Sequence, residues 1–272
     1  MRSKPLHMDG DLKDYTQEEI LQIEAVLNSL FFRKEKSSKC KKAVFTGGHA
    51  GGGKSRFAYL LGKRYPNLVR IDINDNCLWA IPGYQRDYID NGPEAAYEKW
   101  RSASNYISRS ATRKAIDEGY DFILVGTATS PHIMGLIKEA KSKGYTTEFH
   151  GFTAPLQKCL QRNHPDNRFS YLPDTGGVSF WLPEHHITDK HPLFNDRIPD
   201  LMTSFDRASM YWNPNDKKEP SRAFTCSVFG EDDNLRISIK NPSATLAFMK
   251  CVGWHKQPGA KIMPILLHHL HV

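Results

Sequence analysis

Apolar residues along the chain change their spacing several times, and each change marks an element. Ile20, Ile23, Val26, Leu27, Leu30 and Phe31 recur at helical intervals behind Thr16-Gln17-Glu18-Glu19, a Thr-x-x-Glu capping box, so a helix is predicted near residues 16–32. An apolar run, Lys42-Ala43-Val44-Phe45-Thr46, has the character of a strand and leads into a glycine-rich turn and then a helix-like stretch from Arg56 to Arg64. Leu68–Ile73, Phe122–Val125 and Thr147–Phe152 are further strand candidates, separated by helix-length segments around 94–118 and 131–143. Strands alternating with helices imply an α/β fold with a parallel sheet covered on both faces. From about Asn213 the texture changes. Residues 213–221 are polar with two prolines, and Phe224–Phe229 and Leu235–Ile239 read as a hairpin around Gly230-Glu231-Asp232-Asp233-Asn234. This divides the chain into an N-terminal helical segment (1–40), a central domain (41–213) and a C-terminal extension (214–272).

Composition narrows the field only modestly. The 272 residues suffice for one large domain with an appendage, and the net charge of +7 suits phosphate-bearing ligands, acidic partners or nucleic acid as well as plain solvated lysines. The densest basic run is Arg33–Lys42, beside an element boundary. Five cysteines without a C-x-x-C pair point to free thiols in a cytosol-like, reducing compartment. No apolar stretch reaches membrane-spanning length, and residues 1–10 lack the apolar segment of a signal peptide. Delivery into another cell remains open on these grounds.

The chemistry concentrates in the turn after the first strand. Gly48-His49-Ala50-Gly51-Gly52-Gly53-Lys54-Ser55 followed by Arg56 is a P-loop between a strand and a helix. Its glycines let backbone N–H groups and the helix N-terminus cradle phosphates, Lys54 reaches the β- and γ-phosphates of ATP, and the Ser55 hydroxyl is a natural Mg²⁺ ligand. The strands' carboxyl ends direct attention to Asp72, Asn74 and Asp75 after the second strand and to Gly126-Thr127 after the third. A carboxylate there can accept a hydroxyl proton or support Mg²⁺, while Asp72 and Asn74 equally suit the turn as caps. Arg162 and Arg168 follow the fourth strand and suit the charge that spreads over a transferring phosphoryl group. His185, His186 and His191, and the C-terminal His268, His269 and His271, lack the paired spacing of a zinc site.

Several linked motifs resemble the zeta toxin kinases. Phe45–Ser55, Ile71–Asp75 followed by Ile81-Pro82-Gly83-Tyr84, Ala115–Thr127 and Lys143–Phe149 occur in the family's order and spacing, so that the resemblance spans about residues 14–173; Ser204–Asn213 resembles a later strand of the family. The resemblance implies an ATP- and Mg²⁺-dependent kinase, in well-known members acting on a sugar hydroxyl of UDP-N-acetylglucosamine. By position it makes Asp75 the catalytic base and assigns Lys54 and Ser55 to ATP and Mg²⁺. Arg162 and Arg168 fall at the phosphates, Thr127 near the acceptor, and an antitoxin-like protein on the N-terminal helix.

Three positions depart from the family. Val125 replaces a glutamate, Arg109 stands at a second acidic position, and Thr129 replaces an arginine. The ATP half is intact and the acceptor half is rebuilt, which argues for a changed acceptor, with Arg109 suited to one that carries phosphate or carboxylate. Two other readings stay open: a polynucleotide or nucleotide-metabolite kinase, whose binding would weaken steeply with salt, and a degenerate ATP-binding module that acts by protein contact.

Overall fold

The protein was analysed as a computed structural model that describes residues 12–37, 40–164, 181–215, 220–229 and 234–254. Arg168 and the C-terminal histidines lie outside these residues.

Thr16 caps α1 (Gln17–Ser29) through the reciprocal Thr16–Glu19 bonds that the capping box predicts. Then follow β1 (Lys41–Gly48), α2 (Lys54–Arg64), β2 (Val69–Asp72), a π-helical turn (Asp75–Trp79), α3 (Pro82–Asp90), α4 (Pro93–Glu118), β3 (Phe122–Val125), α5 (His132–Ser142), β4 (Tyr145–Thr153) and α6 (Leu156–Asn163). The remaining elements are α7 (Glu184–Ser204), β5 (Arg207–Trp212), β6 (Ser221–Phe229), β7 (Asn234–Ile239) and α8 (Pro242–Cys251).

One seven-stranded sheet runs in the order β2-β3-β1-β4-β5-β6-β7. Its first five strands pair in parallel, as the alternation of strands and helices predicts, while the β6–β7 hairpin adds two antiparallel strands beyond β5. The sheet is therefore mixed, and residues after 213 continue it. Phe224 on β6 meets Phe248 on α8 with ring centroids 5.3 Å apart, and Trp254 closes over Phe248.

Burial explains why these strands lack a clean alternation. Every residue of β1 from Ala43 to Gly48 is buried, because helices cover both faces. On one face α4 presents Trp100, Ala103, Ile107, Ala111 and Ala115 to the main core, at intervals of three and four, and ends where Gly119 turns left-handed at φ 83°. On the other, α2 packs Ala58 against Val44, Leu68, Ile123 and Val125. Val125, a family departure, is thus a core residue of the sheet with 3% exposure. Central β1 leads to β2 on one side while β4 pairs on the other, and this reversal opens a crevice at the strands' carboxyl ends.

Candidate active site

The crevice is built first by the turn between β1 and α2. Gly48 has φ +124°, and a Cβ there would lie 1.9 Å from the Phe152 carbonyl oxygen, so β1 can turn this close to β4 only with glycine. Internal bonds fix the curl: Gly48 N–H donates to Thr127 O (3.0 Å), His49 N–H to Phe152 O (3.0 Å) and Gly52 N–H to His49 O (3.0 Å). Gly53, at φ +107°, hands the chain to α2, whose first-turn N–H groups at Lys54 and Ser55 have no partner within the helix by its geometry. Lys54 Nζ donates to Gly48 O (3.0 Å) and His49 O (2.7 Å), which folds the ammonium over the loop. Burial pushes its pKa down to about 8, against the attraction of Cys159 and Asp72.

The flank of the loop is locked by side chains that sequence reasoning placed only in part. Arg162, 5% exposed, donates to Gly51 O (2.8 Å) and Asn213 O (3.2 Å), and Asn213 Nδ2 donates to Gly52 O (3.0 Å). Arg162 thus lies against the phosphate loop, while Asn213 ties the end of β5 to it. The His49 ring is buried. It is bonded to the Ala154 backbone and to Asn195 Oδ1 (2.9 Å), and it stacks on His191 with centroids 3.5 Å apart. His49, His191 and Cys251 bring donor atoms within 4.8 Å of one another, but all three also converge on the Ala154 carbonyl oxygen.

At the end of β2 the two aspartates take different roles. Asp72 Oδ1 accepts from the N–H groups of Asn74 (3.1 Å) and Asp75 (3.3 Å), the turn-capping use foreseen for it. Its Oδ2 is fully buried and has no hydrogen-bond partner among the described residues. Asp75 begins the π-helical turn, 1% exposed, and its carboxylate meets Arg70 Nη1 at 3.1 Å. Asn74, not Asp75, reaches the cavity wall, where it accepts from Arg101 Nη1 (3.0 Å).

These elements enclose a cavity of 1360 Å³ lined by the P-loop from Gly48 to Arg56, Gly52 excepted, and by Thr127 and Thr129, whose hydroxyls are 2.8 Å apart. Ala128 between them is left-handed at φ +57°, an uncommon backbone for alanine. Lys54, Arg56, Arg109, Arg113 and Arg162 line the cavity, and so do Arg101 of α4 and Lys190 of α7; no aspartate or glutamate does among the described residues. Arg109, the charge-reversed position, lies exposed at this wall. Arg101 and Lys190 escaped sequence reasoning, since they belong to no motif and meet only through the packing of distant helices.

A family model described as zeta toxin matches residues 28–165, half of the chain. The chain belongs to the zeta toxin family. Solved structures agree at the level of fold. The toxin–antitoxin system PezAT of Streptococcus pneumoniae superposes with TM-score 0.53 and 18% identity, covering 87% of this chain and 88% of that one. A complex of AvrRxo1-ORF1 with AvrRxo1-ORF2 gives TM-score 0.59 and 12% identity over 88% and 73% of the two chains. The same pair with ATP gives 0.55 and 15% over 86% and 70%. No curated protein sequence matches the chain. Two of the positions at which this zeta toxin family member departs from the pattern differ in surroundings: Val125 packs in the core under α2 as well as reaching the cavity, whereas Arg109 is exposed at the cavity wall.

Proposed function

We propose that this zeta toxin family member transfers the γ-phosphate of ATP to a hydroxyl of a small molecule. The observation that carries the reading is the preformed phosphate cradle, in which glycine turns, α2's first-turn amides, Lys54 and the buried Arg162 surround one end of a cavity that no carboxylate lines among the described residues. Lys54 and the amides would hold the β- and γ-phosphates, and Arg162, joined by Arg168, would offset charge on the transferring group. Ser55 fits Mg²⁺, a hard cation that takes oxygen ligands: its hydroxyl stands in the first turn of α2 at the cavity wall. Mg²⁺ would supply charge neutralisation between the phosphates.

Of the two candidate bases, Asp72 has an uncommitted oxygen and its charge acts on Lys54, while Asp75 is engaged by Arg70. The reading gives proton acceptance to Asp72 and anchoring of the turn to Asp75, in place of the base role at Asp75 that family spacing suggests. Thr127 and Asn74 are placed to contact the acceptor. A neutralising protein partner on the N-terminal segment fits the exposed apolar residues there, Leu21 (57%) and Phe32 (70%).

The test is phosphate transfer from ATP with Mg²⁺ to a metabolite panel that includes UDP-N-acetylglucosamine, read by mass spectrometry, with Lys54→Ala, Asp72→Asn and Asp75→Asn beside the parent chain. A product lost in Lys54→Ala and Asp72→Asn, with Asp75→Asn losing mainly stability, upholds the assignment. Breaking the buried Arg70–Asp75 pair should cost about 3 kcal/mol. ATP binding without any product would point to a binding module, and a stable, inactive Asp75→Asn with an active Asp72→Asn would return the base role to Asp75.

A further inference from the structure

Three residues far apart in sequence bring metal-ligating atoms together beside the phosphate loop. His49 follows β1, His191 lies on α7 and Cys251 ends α8, and their donor atoms all lie within 4.8 Å of one another. No two of them have the spacing of a zinc motif, so packing alone makes the cluster.

All three face one oxygen. Ala154 O lies 3.0 Å from His49 Nδ1, 3.1 Å from His191 Nε2 and 3.5 Å from Cys251 Sγ, and Cys159 Sγ adds a fourth contact at 3.7 Å. A carbonyl oxygen has two lone pairs and cannot serve four donors. Bonds of about 2.1 Å to nitrogen or oxygen and about 2.3 Å to sulfur set the ligand atoms of a tetrahedral cation roughly 3.5 Å apart, close to the spacing of this oxygen from its three neighbours.

The chemistry of the set agrees. His49 Nε2 stands 2.9 Å from Asn195 Oδ1, so the neutral ring carries its proton on Nε2 and turns a bare Nδ1 to Ala154, the outer hydrogen bond that orients a ligating histidine. Burial holds both imidazoles below their ordinary pKa, so each presents a lone pair at neutral pH. Burial pushes the Cys251 thiol up to about 12, and the thiol would release that proton to solvent as the sulfur–metal bond forms. His49 and His191 line the cavity, which supplies an entry path. Two imidazoles and a sulfur select a borderline-soft ion, unlike the all-oxygen set that suits Mg²⁺.

We propose that His49, His191, Cys251 and the Ala154 carbonyl oxygen bind a Zn²⁺ ion that ties the phosphate loop to α7 and α8. The site does not rest on the kinase reading. Through Cys251 it would fasten the segment after residue 213 to the loop.

The probe is Co²⁺, titrated without oxygen into the full, metal-stripped chain and read by absorption. The expected result is one equivalent bound, with the intense visible bands of tetrahedral Co²⁺ and a thiolate-to-cobalt charge-transfer band, both displaced by Zn²⁺, and a thermal midpoint that Zn²⁺ raises. Cys251→Ser should abolish the charge-transfer band, and His191→Gln should weaken binding at least about tenfold. Cys40→Ser, which removes the exposed thiol, should change neither. Thermal melts of the metal-free variants show which are folded, and Cys251 and His191 stand on different helices, so one misfolded variant leaves the other. Weak octahedral absorption without the charge-transfer band, a band that persists in folded Cys251→Ser, or one that disappears in Cys40→Ser overturns the proposal.

Discussion

Acid should unfold this protein in part through a residue of its own phosphate loop. The His49 ring is 3% exposed, stacked on His191 and bonded to Ala154 and Asn195. Burial, helped by the nearby His191, pushes its pKa down to about 3, although the bonds to Asn195 and Ala154 pull the other way. An unfolded chain protonates this histidine near pH 6.5, so below that value the unfolded state binds the extra proton and the folded state refuses it. Stability therefore falls as pH falls, beginning near 6.5 and continuing to about 3. Between about pH 7 and about pH 5 the linkage amounts to about 2 kcal/mol from this group alone. His49→Gln removes the titration while keeping an amide for the same polar partners. Urea unfolding of both chains across this range should show the variant less stable near neutrality and flatter toward acid, the gap narrowing by about 2 kcal/mol. His150, also lowered chiefly by burial, remains in both chains and drops out of the difference, whereas His191, stacked on His49, is removed from it by making the same comparison in a His191→Gln background. Parallel pH profiles for the two chains would refute the reasoning and mean that the His49 ring is hydrated or protonated in the folded state.

Two further outcomes follow from the loop. Gly48→Ala would put a methyl 1.9 Å from the Phe152 carbonyl at a left-handed φ, so it should cost about 3 kcal/mol or more and abolish binding of an ATP analogue, measured by unfolding and by calorimetry. Lys54 titrates near 8 in the free protein, and an arriving triphosphate favours its charged form. Nucleotide binding at about pH 8 should therefore take up about half a proton, falling toward zero at about pH 6.5 and absent in Lys54→Met; calorimetry in buffers of different ionisation enthalpy checks it.

What could be read beforehand was local chemistry, and what could not was made by distant packing or by prolines. β1, the loop and α2 form a contiguous signature in which Gly48, Gly51 and Gly53 take left-handed φ, so motif and structure coincide. The buried stripe of α4 likewise follows from its own periodicity. By contrast α7 carries Pro192 and Pro199, each of which removes a helical hydrogen bond and reads as a break. The helix survives because Phe194, Ile198, Leu201 and Met202 bury its other face, a tertiary gain invisible in local propensity. That concealed helix is the one that delivers His186 and Lys190 to the cavity and His191 to His49. The aspartates fail to separate for a related reason. Spacing along the chain assigns a base by position, but the π-helical turn that starts at Asp75 sends that side chain to Arg70 and leaves Asn74 at the wall. A one-residue change of helical phase thus decides which polar group reaches the cavity wall, and Arg101 of α4 and His186 and Lys190 of α7, which also line it, come from segments 85 to 89 residues apart. The P-loop end of this cavity is therefore written in consecutive residues, while the opposite wall is written in the packing of α4 and α7, so substitutions on that wall need not disturb the loop at all.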